Sequence, residues 1–231
     1  LFNGNTEDTS GNGHRATAHG PAAVADRFGN ANGAYEFDGS DDWMSIGEIR
    51  TQLNSAYTIA VWIRPRSYKH AAIVSNYPDN SSWDHIASLT LKHNTGNARI
   101  DFYHRTSDAA GGALWDFDES IEELTLNEWH LIVATRDGDA SAIYVDGELK
   151  ATNTDTVGHM TRTNYWKIGR TNNVHHNYFD GAIDDVRIYD RVLTVSDIEA
   201  LYNEDGSAES SSSIATPSAL TPLDNAIISG P

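Results

Sequence analysis

The sequence predicts an all-β domain, either a sandwich or a barrel. Short segments in which polar and apolar residues alternate follow one another along most of the chain, and turn signals rich in Gly, Asp and Asn separate them. One segment, near the C-terminal end of this region, has the apolar spacing of a helix. A hydrophobic fraction of 39%, with 10% aromatic residues, is sufficient for a packed core.

Six strands are predicted in the first half of the domain, at residues 34–38, 43–46, 57–64, 71–75, 88–92 and 98–103. The third of these alternates along its length and stops at Pro65, which cannot donate a hydrogen bond to a sheet ladder. The last two flank a short segment that contains Gly96, and this spacing is typical of a β-hairpin.

Five more strands are predicted in the second half, at residues 129–135, 141–145, 148–151, 165–169 and 182–189. Residues 136–140 connect the first two of them as a second hairpin. Asp146 and Gly147 then form a tight turn into the third. Strand order does not follow from this pattern.

A single helix is predicted at residues 197–202. Ser196 stands where an N-cap belongs, and Glu199 three residues later completes a capping box. The helix should turn two apolar side chains to the core, those of Ile198 and Leu201.

The composition changes after this helix and predicts a domain boundary. Residues 1–205 form the β-domain, and residues 206–231 have the Ser-, Glu- and Pro-containing composition of a linker leading to a further module. The chain begins at Leu1 without a Met or a leader, so we expect it to be a segment of a longer protein.

The charge balance narrows the possible partners. Lys and Arg number 16 and Asp and Glu number 33, which gives a formal net charge of −17. Nucleic-acid binding needs a basic surface, so it is not expected. No apolar run approaches the roughly 18 residues of a membrane-spanning helix, so membrane insertion is not expected either. The chain has no Cys, which excludes disulfides and cysteine nucleophiles, whereas many carboxylates suit Ca²⁺.

Several segments in a fixed order resemble the laminin-G-like family of concanavalin A-type jelly rolls, in its bacterial branch. They span residues 1–203 and are found at 8–13, 33–42, 57–65, 129–147, 168–170, 179–189 and 196–202. One of them is the hairpin that opens with Trp129-His130 and closes with Tyr144-Val145-Asp146-Gly147. The order and spacing of the segments, rather than any one of them, make the resemblance specific. The resemblance implies two antiparallel sheets packed face to face. It also implies a secreted or surface module, attached to a larger protein, that binds glycans or proteins.

The resemblance further implies a structural calcium ion that ties the N-terminal segment to a late strand. Carried over to this sequence, the ligands are the Asp184 carboxylate with Asp8, Asn12 and the carbonyl near Gly39. Asp184 alternates with Val186 and Ile188, so it should share their apolar face, where a carboxylate needs a counter-charge. The alternative is that Asp8 is a turn residue and Asp184 pairs with an Arg.

A sugar site is predicted from aromatic residues in polar loops, because sugars combine apolar C–H faces with many hydroxyls. Trp83 lies in one such loop, and Trp115 follows another at residues 108–112. Their predicted companions are Asn76, Tyr77, Asp84 and His85, with His175 and Asn177 from a third loop. The alternative is that both Trp residues plug the ends of the sandwich. Trp62 and Trp129 are expected in the core, and the pattern leaves Trp43 and Trp166 open.

Catalysis is the weakest of the hypotheses. Asp116 and Asp118 would share a face if they lie in a strand, and paired carboxyls can cleave glycosidic bonds. Hydrolases of this fold carry an acid-x-Asp-x-x-Glu motif, whose leading Glu is missing here. We therefore expect a non-catalytic carbohydrate-binding module with structural calcium, in a secreted or surface multi-domain protein. The alternative is an adhesion or protein-binding module, and the minor alternative is a glycoside hydrolase-like enzyme.

Overall fold

The computed structural model describes residues 5–49, 56–77, 86–94, 97–107, 113–119, 124–138, 140–154, 165–171 and 177–204. At residues 48, 86, 93–94, 97–98, 104–107 and 113–119 the description covers the backbone. The proposed linker at 206–231 lies outside these ranges. The described strands are β1 (Thr17–His19), β2 (Ala22–Val24), β3 (Ala34–Asp38), β4 (Trp43–Glu48), β5 (Ala56–Pro65), β6 (Ala71–Ser75), β7 (Ile86–Asn94), β8 (Asn97–Ser107), β9 (Ala113–Glu119), β10 (His130–Asp137), β11 (Ala140–Val145), β12 (Glu148–Asn153), β13 (Tyr165–Ile168) and β14 (Asp180–Tyr189), followed by helix α1 (Val195–Tyr202).

The described strands form two antiparallel sheets of seven strands each. The first sheet has the order β1-β4-β13-β6-β7-β8-β9, and the second has the order β12-β11-β10-β5-β14-β3-β2. Strands that are adjacent in a sheet are often distant in the sequence, as β4 and β13 are. The predicted fold, a two-sheet antiparallel jelly-roll β-sandwich with one short C-terminal helix, is confirmed.

The main core lies between the inner faces of the two sheets. Strand β5 explains how it forms, because its alternating residues are buried on both faces. Ile59, Val61 and Ile63 pack between the sheets, whereas Ala60 and Trp62 face α1 in a second cluster. A strand covered on both faces has a nearly continuous apolar sequence, as this one does.

Helix α1 packs on the outer face of the second sheet and begins two residues before its predicted start. Thr194 is the N-cap: its hydroxyl accepts from the Asp197 backbone N–H (3.2 Å), and the Asp197 carboxylate accepts from the Thr194 N–H (2.9 Å). The predicted cap at Ser196 was wrong because two overlapping capping-box patterns occur here, and the earlier one forms. Ile198 and Leu201 are buried, as predicted. No helix among the described residues is long and apolar enough to cross a membrane.

The four tryptophans whose side chains the structure describes lie in the two clusters and on the outer surface. Trp166 is buried between the sheets, and Trp62 is buried beneath α1. Trp129 is partly buried beside the second cluster. Trp43 lies half-buried on the first sheet, with its ring stacked on His19 at a centroid distance of 4.0 Å and with the Arg170 guanidinium 3.6 Å from the ring centroid.

The Asp146 carboxylate connects the two ends of the hairpin that opens with Trp129-His130 and closes with Asp146-Gly147. Asp146 accepts from the Leu131 backbone N–H (2.8 Å) through one oxygen, and its other oxygen lies 2.8 Å from Nδ1 of His130. Nε2 of His130 lies 3.1 Å from the Thr125 carbonyl oxygen, so both ring nitrogens face acceptors. Burial favours the neutral ring, but Asp146 and Thr125 outweigh it and raise the pKa of His130. The motif therefore fastens β10 to the end of β11.

This contact predicts a loss of stability on the alkaline side of neutrality. The folded pKa of His130 is higher than the unfolded value near 6.5, so its contribution is complete at acidic pH and disappears as pH rises through the folded pKa. We expect the unfolding free energy of wild type, measured in urea between pH 6 and pH 9, to fall with pH more steeply than that of His130→Gln. Parallel curves for the two proteins would contradict the proposed linkage.

Candidate functional site

Four polar residues form a row across the outer face of the first sheet. Lys167 pairs in register with Ser75, Ser75 with Ser88, and Ser88 with Tyr103. The adjacent register positions hold Ile168, Val74, Leu89 and Phe102, which pack in the core between the sheets. Since neighbouring residues in a strand point to opposite faces, the polar row faces away from the second sheet.

The polar row is buried although it faces away from the core. Lys167 is 2% exposed, Ser75 and Ser88 are 0% exposed, and Tyr103 is 6% exposed. Polar side chains on the outer face of a sandwich are ordinarily in contact with water. Within the part of the chain that the structure describes, the Ser88 hydroxyl has no hydrogen-bond partner. A buried hydroxyl left in this state costs about 1–3 kcal/mol, so the row is an unusual feature of this face.

Asn76 and Tyr77, two of the predicted sugar-site residues, border this row. The Lys167 ammonium donates to the Tyr77 carbonyl (2.6 Å), and the Tyr77 ring is stacked on Tyr103 with centroids 6.0 Å apart. Asn76 accepts from the Ala87 backbone N–H through its side-chain oxygen (2.6 Å). Its own N–H donates to the Ala87 carbonyl (3.1 Å). Asn76 therefore holds the end of β6 to the backbone of β7, and the Tyr77 ring packs against Tyr103 at the end of the row.

A second rank of polar groups lies farther along the same face. Asp101 is buried opposite Thr90, and its carboxylate pairs with Lys92 at 2.9 Å and with Arg99 at 3.5 Å. Burial and the nearby Lys92 charge lower the pKa of His70. The face thus combines an ammonium, hydroxyls and a carboxylate with stacked aromatic rings. This mixture suits a ligand that has both hydroxyl groups and apolar C–H surface.

The segment that holds Trp83, Asp84 and His85 lies outside the described residues. The described chain stops at Tyr77, beside the polar row, and resumes at Ile86. Trp115 lies in strand β9, which begins at Ala113, directly after residues 108–112. In register it pairs with Arg105, which pairs with Ile86. The Trp115 backbone is therefore two strands, about 10 Å, from the point where the Trp83 segment rejoins the sheet.

Asn177 lies at the opposite end of strand β6 from this region. Its carbonyl oxygen accepts from the Ala72 backbone N–H (3.2 Å), near the start of β6, whereas Tyr77 follows the end of that strand. The two positions are five residues apart, roughly 16 Å along an extended strand. His175 lies outside the described residues. The structure thus separates Asn177 from the group at the Tyr77 end.

All four predicted calcium ligands have partners within the protein. The Asp8 carboxylate accepts from the backbone N–H groups of Ser10 (2.9 Å) and His14 (3.0 Å). Burial opposes these hydrogen bonds, but together they lower the pKa of Asp8. The Asn12 amide donates to the Ser10 hydroxyl (3.0 Å). The Gly39 carbonyl accepts from the Lys69 ammonium (2.5 Å).

The fourth, Asp184, lies on the face opposite to the one predicted. A β-bulge interrupts the pairing of β14 with β5 after Asp184, and Asp185 has a φ of 52°. The extra residue reverses the alternation, so that Ile183 and Val186 both pack between the sheets. The prediction that Asp184 shares a face with Val186 was wrong for this reason. Asp184 instead pairs with Arg27, whose Nη1 is 2.9 Å from its carboxylate.

The surroundings of Asp184 decide how well it suits a metal ion. Burial raises its pKa to about 7, with a further contribution from Asp185, and these effects exceed the attraction of Arg27. Among the described residues, three side-chain oxygens within 4.8 Å of one another occur at Asp38, Asp41 and Asp42. That group contains neither Asp8 nor Asp184, and exposed acidic groups are common without an ion. Asp184 with its Arg27 partner does not fit a calcium ligand, and calcium binding elsewhere in the chain stays a prediction.

Comparison with known proteins agrees with this architecture. In solved structures, domain 4 of AbnA, an extracellular GH43 arabinanase from Geobacillus stearothermophilus in complex with arabinotriose, is 19% identical with a TM-score of 0.70. The match covers 87% of this chain and 94% of that one. The binding domain of botulinum neurotoxin serotype G is 19% identical with a TM-score of 0.60, covering 83% of this chain and 47% of that chain. The heptameric SAP-like pentraxin of Limulus polyphemus is 14% identical with a TM-score of 0.54, covering 72% and 80%.

At these identities the likeness shows a shared fold. A search of the curated proteins finds no match to this sequence. The model of the family described as the concanavalin A-like lectin/glucanases superfamily matches residues 38–199, which is more than half of the chain. These residues run from the end of β3 into α1 and include most strands of both sheets. The chain therefore belongs to the concanavalin A-like lectin/glucanase superfamily.

Proposed function

We propose that this protein is a non-catalytic carbohydrate-binding module of a secreted or surface multi-domain protein. We place the sugar on the outer face of the first sheet, beside the buried polar row. The observation that carries the proposal is the mixture of aromatic, hydroxyl and charged side chains on this face, of which Lys92 and Arg99 remain partly exposed. The complex of the arabinanase domain with arabinotriose supports it, since that domain has the same fold.

The groups beside the row suit a saccharide. Tyr77 and Tyr103 are stacked with an interplanar angle of 4° and are buried, so they support the face from beneath and leave the sugar contacts to more exposed groups. The Asp101 carboxylate accepts hydrogen bonds, and Lys92 beside it donates. A surface with these groups binds neutral polyols without requiring a charged ligand.

The binding surface continues toward the tryptophans predicted from the sequence. Trp115 is placed by its backbone at the end of the sheet where the Trp83 segment leaves and rejoins it. We therefore extend the proposed site from the polar row toward both residues. Asn177 is left out of this site, because it lies at the other end of β6.

The register of β9 supports a binding role over a catalytic one. Asp116 and Asp118 lie in this strand, opposite His104 and Phe102. Phe102 packs in the core between the sheets, whereas its neighbour Tyr103 belongs to the polar row on the outer face. The two carboxyl residues thus occupy register positions outside the polar row. Hydrolysis requires one carboxyl group on each side of the bound glycosidic bond. Neither Asp116 nor Asp118 lies in the register row beside which we place the sugar.

A glycan array followed by calorimetric titration of the strongest hit tests this proposal. We expect Lys92→Met, Trp83→Ala and Trp115→Ala each to weaken binding about tenfold, which corresponds to about 1.4 kcal/mol. Phe28→Ala is the control, because it removes a ring that is exposed beside the second sheet, and it should bind as wild type does.

Three outcomes would contradict the assignment. Unchanged affinity in all three variants would place the sugar elsewhere on the protein. Binding to no glycan on the array would favour an adhesion or protein-binding module. Release of reducing sugar from a bound glycan, lost in Asp116→Asn, would show an enzyme.

A further inference from the structure

Arg27 forms the centre of a buried ionic junction on the outer face of the second sheet. Its Nη1 lies 2.9 Å from Asp184, and its Nη2 lies 2.9 Å from Asp185 and 3.2 Å from Glu204. The Arg27 side chain is 7% exposed and that of Asp184 is 6% exposed. Arg187 also binds two of these three carboxylates, and it lies 2.8 Å from both Asp185 and Glu204.

The junction joins three distant parts of the chain. Arg27 lies between β2 and β3, near the N-terminus, and Asp184 and Asp185 form the bulge in β14. Glu204 follows the last residue of α1 by two positions. Rings hold the guanidinium in place, since its central carbon is 4.7 Å from the Trp62 centroid and 4.2 Å from that of Phe28.

Arg27 fills the structural role that the family resemblance implies for calcium, which is to tie the N-terminal segment to a late strand. A calcium ion at Asp184 would neutralise a buried carboxylate and tie the N-terminal segment to the closing strand. Arg27 does both, because a guanidinium presents several donors in one plane and stays charged when buried. A divalent cation on the same Asp184 oxygen would meet a positive charge at hydrogen-bond distance, which opposes its binding.

We infer that Arg27 takes the structural place of a metal ion at Asp184, so that the bond between the N-terminal segment and β14 is an ion pair and independent of calcium. Two observations carry this inference. Asp184 has its cation from the chain itself, and the bulge at Asp185 directs a second carboxylate to the same guanidinium. Whether calcium binds elsewhere on the protein does not affect the argument, and neither does the sugar site.

The direct test compares the response of the full chain and of Asp184→Asn to calcium and to chelator. Asparagine keeps the shape of the side chain and removes the charge that a metal would need. We expect the melting temperature of both proteins at pH 8 to shift by the same amount between excess Ca²⁺ and excess EDTA. A shift in wild type that Asp184→Asn loses would overturn the inference, because Asp184 would then be a metal ligand.

Removing the guanidinium gives the converse test. In Arg27→Met, three carboxylates lose their shared cation and should gain affinity for a small hard cation. Terbium is a suitable probe, because Trp62 lies beside the vacated position and can sensitise its luminescence. We expect luminescence in Arg27→Met that excess Ca²⁺ displaces and that Arg27→Met/Asp184→Asn lacks.

Arg187→Met is the matched control, since it removes a cation from the same junction and leaves the Arg27–Asp184 pair in place. It should give no more signal than wild type. Equal luminescence in wild type and Arg27→Met would contradict the inference. If Arg27→Met does not fold, the comparison of wild type with Asp184→Asn still decides the question.

Discussion

Gly181→Ala should destabilise the domain by roughly 3–5 kcal/mol, a large effect for the addition of a single methyl group. Gly181 has a φ of 144°, which side-chain-bearing residues rarely adopt. A Cβ at this position would overlap the Arg64 carbonyl oxygen and lie 2.9 Å from the Cα of Pro65. Both obstacles are backbone atoms of β5, the strand paired with β14 in the middle of the second sheet, so neither can move without breaking the ladder.

Urea unfolding of Gly181→Ala and of Gly138→Ala tests this prediction with a matched pair. Gly138 also has a positive φ, of 60°, but a Cβ there would meet nothing within 4 Å. Its replacement should therefore cost only about 1 kcal/mol of backbone strain. Since domains of this size are stable by about 5–15 kcal/mol, the Gly181 variant should unfold at a much lower urea concentration. Equal midpoints for the two variants would show that β14 and β5 are not in contact as described.

Trp62→Ala should also cost a large amount, about 3–5 kcal/mol, because it empties the cluster between the second sheet and α1. The Trp62 ring is stacked on Tyr202 with centroids 5.9 Å apart, and it also lies against the Arg27 guanidinium. Its loss removes the surface on which the last turn of the helix rests. We therefore expect the helix to loosen before the sandwich unfolds.

Chemical denaturation of Trp62→Ala, with hydrogen exchange at α1 amides, measures both effects. Tyr165→Ala is the control, since that side chain is 59% exposed and its removal should change stability by about 0.5 kcal/mol or less. A similar small change in Trp62→Ala, with α1 amides still protected, would mean that α1 does not depend on this cluster.

The strands were predictable because alternation records which side chains face the core. The predicted segment at 71–75 coincides with β6, and the stop at Pro65 coincides with the end of β5. Those features depend on local sequence, which is why one sequence suffices to find them. The helix cap shows the limit of this reasoning, because Thr194 and Ser196 both begin a capping pattern and only packing selects the first.

The candidate site was less predictable, for two physical reasons. Ser88 and Lys167 lie on the outer face of the first sheet, and a sequence does not reveal that an outward face is buried. The bulge at Asp185 reverses the face of Asp184, and its signal is weak because Asp is one of the few residues that tolerate a positive φ. Arg27 was missed because nothing in its own segment shows that it contacts residues more than 150 positions away.

Glu204 and the polar row lie on opposite sides of the domain. Glu204 lies on the side of the second sheet covered by α1, whereas the polar row lies on the far side of the first sheet. Two stacked sheets and a helix layer are at least about 20 Å thick, so a strand of six or more extended residues is needed to cross that depth. Any chain that continues beyond Glu204 thus starts on the side opposite to the proposed sugar site. A module attached directly at that point would be held on the side away from that site.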